Sequence, residues 1–174
     1  MVEQQDQIRE YLLGQAEKYD FIDLWPRVMA QRAAFLQALE GVTDQQAAWE
    51  PGIGEGEEAW GILQVAQHLL RSTQNVMPII EATARGETAP KDPPGTREGA
   101  PATLAEVRRA LIEQSEDFAT LRRRLPGRPD LEATVDHAFF GPLNSRAWFL
   151  FQRLHDADHT RQVETLKASE GFPS

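Results

Sequence analysis

His155 and His159 stand four residues apart in a run that reads as helix from Asn144 to about Ala168. At that spacing two helical side chains share a face, one above the other, and both imidazoles can reach a single ion at about 2.0–2.1 Å. The same face carries Trp148, Phe151, Gln152, Gln162, Val163 and Leu166, so the pair interrupts an apolar, inward stripe. Imidazoles in such an interior need partners for their ring nitrogens, and a metal ion satisfies two at once. His68 supplies the third nitrogen in this reading. It lies ten residues into a helix expected from Glu58, flanked on its face by Val65 and Ser72. That puts it level with the pair, near the middles of two helices of similar length. Three nitrogen ligands and no thiolate leave at least one coordination position open, as catalytic sites do. The plainer readings are a hydrogen-bonded pair of core histidines, or a solvated face on which Asp156 and Asp158 matter more. His137 precedes the helix cap, and about 25 Å of helix rise separates it from His155. It is expected in a loop and not as a ligand.

The metal-facing stripes offer Gln64, Ser72 and Gln152 as polar neighbours, Gln64 and Gln152 being the candidate substrate contacts; a solvated end of the helices is the plainer account of both glutamines. Asp156 and Asp158 lie well round the helix, so no carboxylate is placed to act as a general base. The chain has no cysteine, which excludes disulfides, thiolate ligands and a protein thiol nucleophile. Its net charge of −9 repels a phosphate backbone, and the one basic run, Arg122-Arg123-Arg124, falls at a helix carboxyl end where it complements the helix dipole. Nucleic acid is therefore not an expected partner. An anionic substrate would need Arg32 or Arg71 at the mouth of the site. No apolar run approaches the ~20 residues of a membrane span, and the amino terminus lacks a signal peptide's basic and apolar regions. A cytoplasmic protein is expected.

The elements that must position these residues are helices. Ile8, Tyr11, Leu12 and Tyr19 give a modest stripe over about 5–19. A second helix should run from about Pro26, acceptable in a first turn, to about Glu40, with Gly41 ending it. Thr43-Asp44-Gln45-Gln46 has the form of a capping box. A third long helix is expected from about Glu58 to Arg85, kinked near residues 74–78 by Pro78. Gly86 then opens a Pro- and Gly-rich linker through Pro101. Extended, it reaches up to ~50 Å, longer than the ~40 Å helix before it, so it can return the chain to the other end. Thr103-Leu104-Ala105-Glu106 caps the next helix, whose Leu104, Val107, Leu111, Phe118, Leu121 and Leu125 recur at heptad-like spacing until Pro126. Strand signals are nearly absent. One all-α domain over 21–170 follows, a four-helix bundle with an amino-terminal helix at 1–20 expected on its outside or on a partner chain.

Several segments resemble a known family. Trp60-Gly61-Ile62-Leu63-Gln64-Val65-Ala66-Gln67-His68-Leu69 looks like the second core helix of the DinB/YfiT-like family. His137-Ala138-Phe139-Phe140-Gly141-Pro142-Leu143 and His155-Asp156-Ala157-Asp158-His159-Thr160-Arg161-Gln162 resemble the family's last helix and its approach. Trp49-Glu50-Pro51 and Arg85-Gly86-Glu87 resemble its joints. The likeness covers about residues 25–168. It implies an up-down-down-up bundle in which His68, His155 and His159 hold a divalent ion such as nickel or zinc. It further implies a metal-dependent enzyme acting on small molecules, a transferase or isomerase that uses a low-molecular-weight thiol. A metal-dependent hydrolase is the alternative, and a non-enzymatic, stress-linked metal-binding bundle the other. A small-molecule substrate and a second copy of the chain, as a homodimer, are the expected partners.

Overall fold

The computed structural model describes residues 2–52, 54–91 and 103–174. The chain is mostly helical: α1 (Val2–Lys18), α2 (Phe21–Ala38), a short α3 (Asp44–Ala48), α4 (Ile62–Ala84), α5 (Leu104–Thr120) and α6 (Ser145–Lys167). Most of the expected linker, from residue 92 onward, lies outside the described residues. Among the described residues no helix is long and apolar enough to cross a membrane.

Local chemistry sets the boundaries. Thr103 Oγ1 accepts from the Glu106 amide at 3.3 Å and Glu106 Oε2 accepts from the Thr103 amide at 3.0 Å, the reciprocal box expected there. Thr43 and Gln46 form the same box, and Asn144 Oδ1 caps α6 through the Ala147 amide at 3.0 Å. Two starts differ from expectation. Helix α2 begins at Phe21 rather than near Pro26, because Asp23 Oδ2 accepts from the Asp20 amide at 3.3 Å and caps the helix there. Helix α4 begins at Ile62 rather than Glu58, after a 3-10 turn at Gly56–Ala59. Gly61 sets that start: a Cβ there would lie 2.4 Å from the Trp49 carbonyl oxygen, so the close approach requires glycine. Beyond it α4 continues unbroken through Pro78.

Strand signals are nearly absent from the sequence, yet one small sheet is present within the mostly helical fold. Thr134–His137 (β1) and Gly141–Asn144 (β2) form an antiparallel hairpin, with Val135 opposite Leu143 and His137 opposite Gly141. The signal was short but present. Gly141 takes φ 69° at the end of the turn, and Leu143 is fully buried beneath it.

Helix α6 packs on α2 and α4, and α5 packs on α4 and α2. Two apolar clusters fill the interior. One gathers the start of α2 (Leu24, Val28), the ends of α4 (Ile79, Ile80) and α5 (Phe118), and the start of α6 (Trp148, Phe149). The other gathers the end of α2 (Phe35), the starts of α4 (Val65, Leu69) and α5 (Leu111), and the end of α6 (Val163). Helix α1 joins the first cluster through Leu12 and Ala16, both fully buried, and it packs on α6 and β2. Between the clusters lies a layer of buried polar side chains: Arg32, Thr73, Gln114, Gln152, Asp156 and His159.

Candidate metal centre

The polar layer is where the histidines meet. His68 enters from α4, and His155 and His159 from successive turns of α6. His155 Nε2 lies 2.9 Å from His68 Nε2 and 3.1 Å from His159 Nε2, and one nitrogen from each ring falls within 4.8 Å of the others. Burial holds the His155 imidazole well below its ordinary pKa, helped by the neighbouring histidines and Arg32. Burial lowers His68 to about 3, with further contributions from His159 and Arg71. Rings kept neutral in this way retain lone pairs, the form in which histidine binds metal.

The surrounding hydrogen bonds decide which nitrogen is available. Gln162 Nε2 donates to the Glu57 carbonyl at 2.6 Å, which turns Gln162 Oε1 toward His159 Nδ1 at 2.8 Å. Because Oε1 only accepts, Nδ1 carries the proton and Nε2 the lone pair. His155 Nδ1 lies 3.3 Å from Ser72 Oγ, a hydroxyl able to accept from it. Tetrahedral ligands at zinc–nitrogen bond lengths are spaced about 3.3 Å apart. The two Nε2 spacings to His155 need open by only a few tenths of an ångström. The three histidines therefore fit a divalent metal ion.

Beside them opens a cavity of about 860 Å³, walled by α1, α4, α6 and the tip of the hairpin. The chain matches a family model of the DinB superfamily over residues 28–163. The chain belongs to the DinB superfamily. No curated protein matches it.

The structure places the remaining sequence candidates as follows. Gln152 is fully buried, facing Thr73 Oγ1 at 3.4 Å, and Gln64 donates to Glu50 at 2.7 Å; neither lines the cavity. Arg32 does not reach the mouth: it is 2% exposed and makes a two-point ion pair with Asp156, 2.7 Å and 3.1 Å, while donating to Thr73 Oγ1 at 2.6 Å. Asp156 is thus a core residue of this DinB-superfamily chain, its carboxyl pushed up by burial against the downward pull of Arg32. Asp158, expected well round the helix from the site, lines the cavity and pairs with Arg161 at 3.1 Å. Arg71 lines it too.

His137 departs furthest from its expected place. It ends β1 and is buried, because the hairpin folds back along α6 instead of extending away from it. Its ring meets Phe151 at 4.5 Å, and Phe151 stacks on His155 at 5.2 Å. The Phe139 amide donates to His137 Nδ1 at 3.1 Å, so Nε2 carries the proton, and burial lowers the pKa to about 4. His137 lines the cavity but stands outside the three-histidine cluster. Helix rise alone could not place it, since it measures distance along an axis and says nothing of a chain that doubles back.

Proposed function

We propose that His68, His155 and His159 bind one divalent ion, nickel or zinc, and that this DinB-superfamily protein is a metal-dependent enzyme acting on small molecules. The observation that carries the reading is the convergence of three imidazole Nε2 atoms, two of them held neutral by burial, at the wall of a large cavity. We read the four long helices as the family's up-down-down-up bundle. The two clusters support this: each pairs the starts of α2 and α6 with the ends of α4 and α5, or the reverse.

A divalent ion bound by three neutral ligands supplies an undiminished double charge, which lowers the pKa of a coordinated thiol or water. The chain's own residues do the rest. Ser72 and Gln162 orient the ligand rings, and Phe151 with the hairpin tip excludes water from one side. With no cysteine in the chain, a low-molecular-weight thiol is the nucleophile we favour, in a transferase or isomerase reaction. Hydrolysis is the second reading, and a specific observation favours it: Glu57 and Asp158 line the cavity and offer carboxylates for general-base work.

The test is turnover by nickel- or zinc-loaded protein against a panel of thiols and electrophiles, with ester and amide substrates alongside. Cobalt-loaded protein titrated with low-molecular-weight thiols should develop the near-ultraviolet absorption of a cobalt–sulfur bond. Turnover of esters or amides without that absorption replaces the thiol reading with the hydrolase. Metal binding without turnover of any class leaves a non-enzymatic metal-binding protein.

A further inference from the structure

We propose that the cavity takes a substrate with an apolar, ring-sized body and a carboxylate, and that Arg71 holds the carboxylate beside the metal centre. The inference rests on the metal reading only for the identity of that neighbouring centre.

Arg71 follows His68 by three residues on α4 and precedes Asn75 by four, so all three share a face. All three line the cavity. A guanidinium presents five N–H donors in a plane, and its fork matches a carboxylate. The same wall carries apolar side chains: Ile8 and Tyr11 from α1, Phe139 and Phe140 from the hairpin tip, Phe151 and Leu154 from α6. Phe139 is 65% exposed and Tyr11 44% exposed, so the lip of the cavity itself offers ring surface. At about 860 Å³ the space exceeds what a diatomic or a bare carboxylic acid would fill.

Charge points the same way. A surface of net charge −9 repels anions at long range, so an anionic substrate must be recognised locally. Two of the charged side chains on the wall, Asp158 and Arg161, pair with each other at 3.1 Å and are 72% and 74% exposed, at the solvent edge. Arg71 is half-buried and lies one helical turn from His68. Its charge is screened less there than at the edge.

The experiment is calorimetric titration of the full chain, zinc-loaded and metal-free, with phenylbutyrate and with its neutral amide. Wild type should bind the carboxylate about tenfold more tightly than the amide in both metal states. Arg71→Gln should bind the two alike, and Arg71→Lys should keep part of the preference, because it keeps charge but not the fork. Equal affinities in wild type, no binding of either compound, or a preference that survives in Arg71→Gln overturns the inference. A preference that appears only with zinc and survives in Arg71→Gln places the carboxylate on the metal, and also overturns it. The metal reading stands or falls separately, on metal content: a chain that binds no zinc yet shows an Arg71-dependent preference supports this inference alone.

Discussion

The Gln162 amide is a useful place to see how one side chain decides another's chemistry. Its Nε2 is committed to the Glu57 carbonyl, so Oε1 must face His159 Nδ1 and fix the tautomer of that ring. Residues that orient metal ligands from behind commonly contribute about 10–100-fold in affinity. Gln162→Leu should therefore retain one equivalent of zinc at saturation but release it about 10–100-fold more readily, measured by competition with a chromogenic chelator. His155→Ala removes the nitrogen shared by both short contacts and should abolish stoichiometric binding. Unchanged zinc content in His155→Ala would falsify the ligand assignment. The Arg32–Asp156 pair makes a different residue-scale prediction. Both groups are buried, and Arg32 Nη1 and Gln152 Nε2 beside them have no hydrogen-bond partner among the described residues. Removing one partner strands a charge in the interior. Asp156→Leu should cost about 3–5 kcal/mol in urea denaturation, whereas Arg32→Met with Asp156→Leu should recover much of that loss.

At the scale of elements, α4 and α6 supply the three histidines, and α1 walls the cavity beside them. Leu12 is fully buried among residues of α2, α4 and α6, and the helix walls the cavity through Ile8 and Tyr11. Leu12→Ala should destabilise the protein by about 2–5 kcal/mol by chemical denaturation, the range for a truncated core leucine. A loss under half a kcal/mol would show that α1 is an accessory to the core. Gly61 matters for another reason. The Cβ of Gly61→Ala would meet backbone, the Trp49 carbonyl, and backbone cannot swing aside as a side chain does. The variant should shift the start of α4, and with it His68, lowering zinc affinity as well as stability. Much of this layer was readable beforehand. The capping boxes at Thr43 and Thr103 and the Asn144 cap were legible because each is a local bargain among four residues. The hairpin was not, because a four-residue strand has too few alternations to set a period, and its pairing partner lies across a turn.

For the whole molecule, the buried histidines couple folding to acidity. In the unfolded chain they titrate near the ordinary 6.5, whereas in the fold burial lowers His137 to about 4 and His68 to about 3. Below 6.5 the unfolded state binds more protons than the native one, so stability rises with pH through that window. The contribution is complete above 6.5 and is lost as pH falls from there toward 4 and then 3. His137 alone should account for something on the order of 3 kcal/mol. Metal-free protein should therefore show a urea midpoint that drops steadily between those limits, and His137→Phe should flatten the upper part of the slope. A midpoint constant from pH 7 to pH 4 would mean the rings titrate in the fold as they do in the unfolded chain.

By itself the sequence determined the helical class, the caps and the His155–His159 pair, because each depends on spacing along a helix, which is a local property; His68 joined the pair through the DinB resemblance and its mid-helix position, and the packing of α4 on α6 brings it there. The DinB resemblance at Trp60–Leu69 and His155–Gln162 was legible for the same reason. Only the tertiary structure decided that Asp156 turns into the core to meet Arg32, that Gln64 and Gln152 stay off the cavity wall, and that Arg71 lines it. Periodicity gives a residue's angle about its own axis, but not which neighbour stands opposite. Only the fold could return His137 to the site: the hairpin bends it back along α6, and contacts between segments distant in sequence cannot be read from spacing along either one.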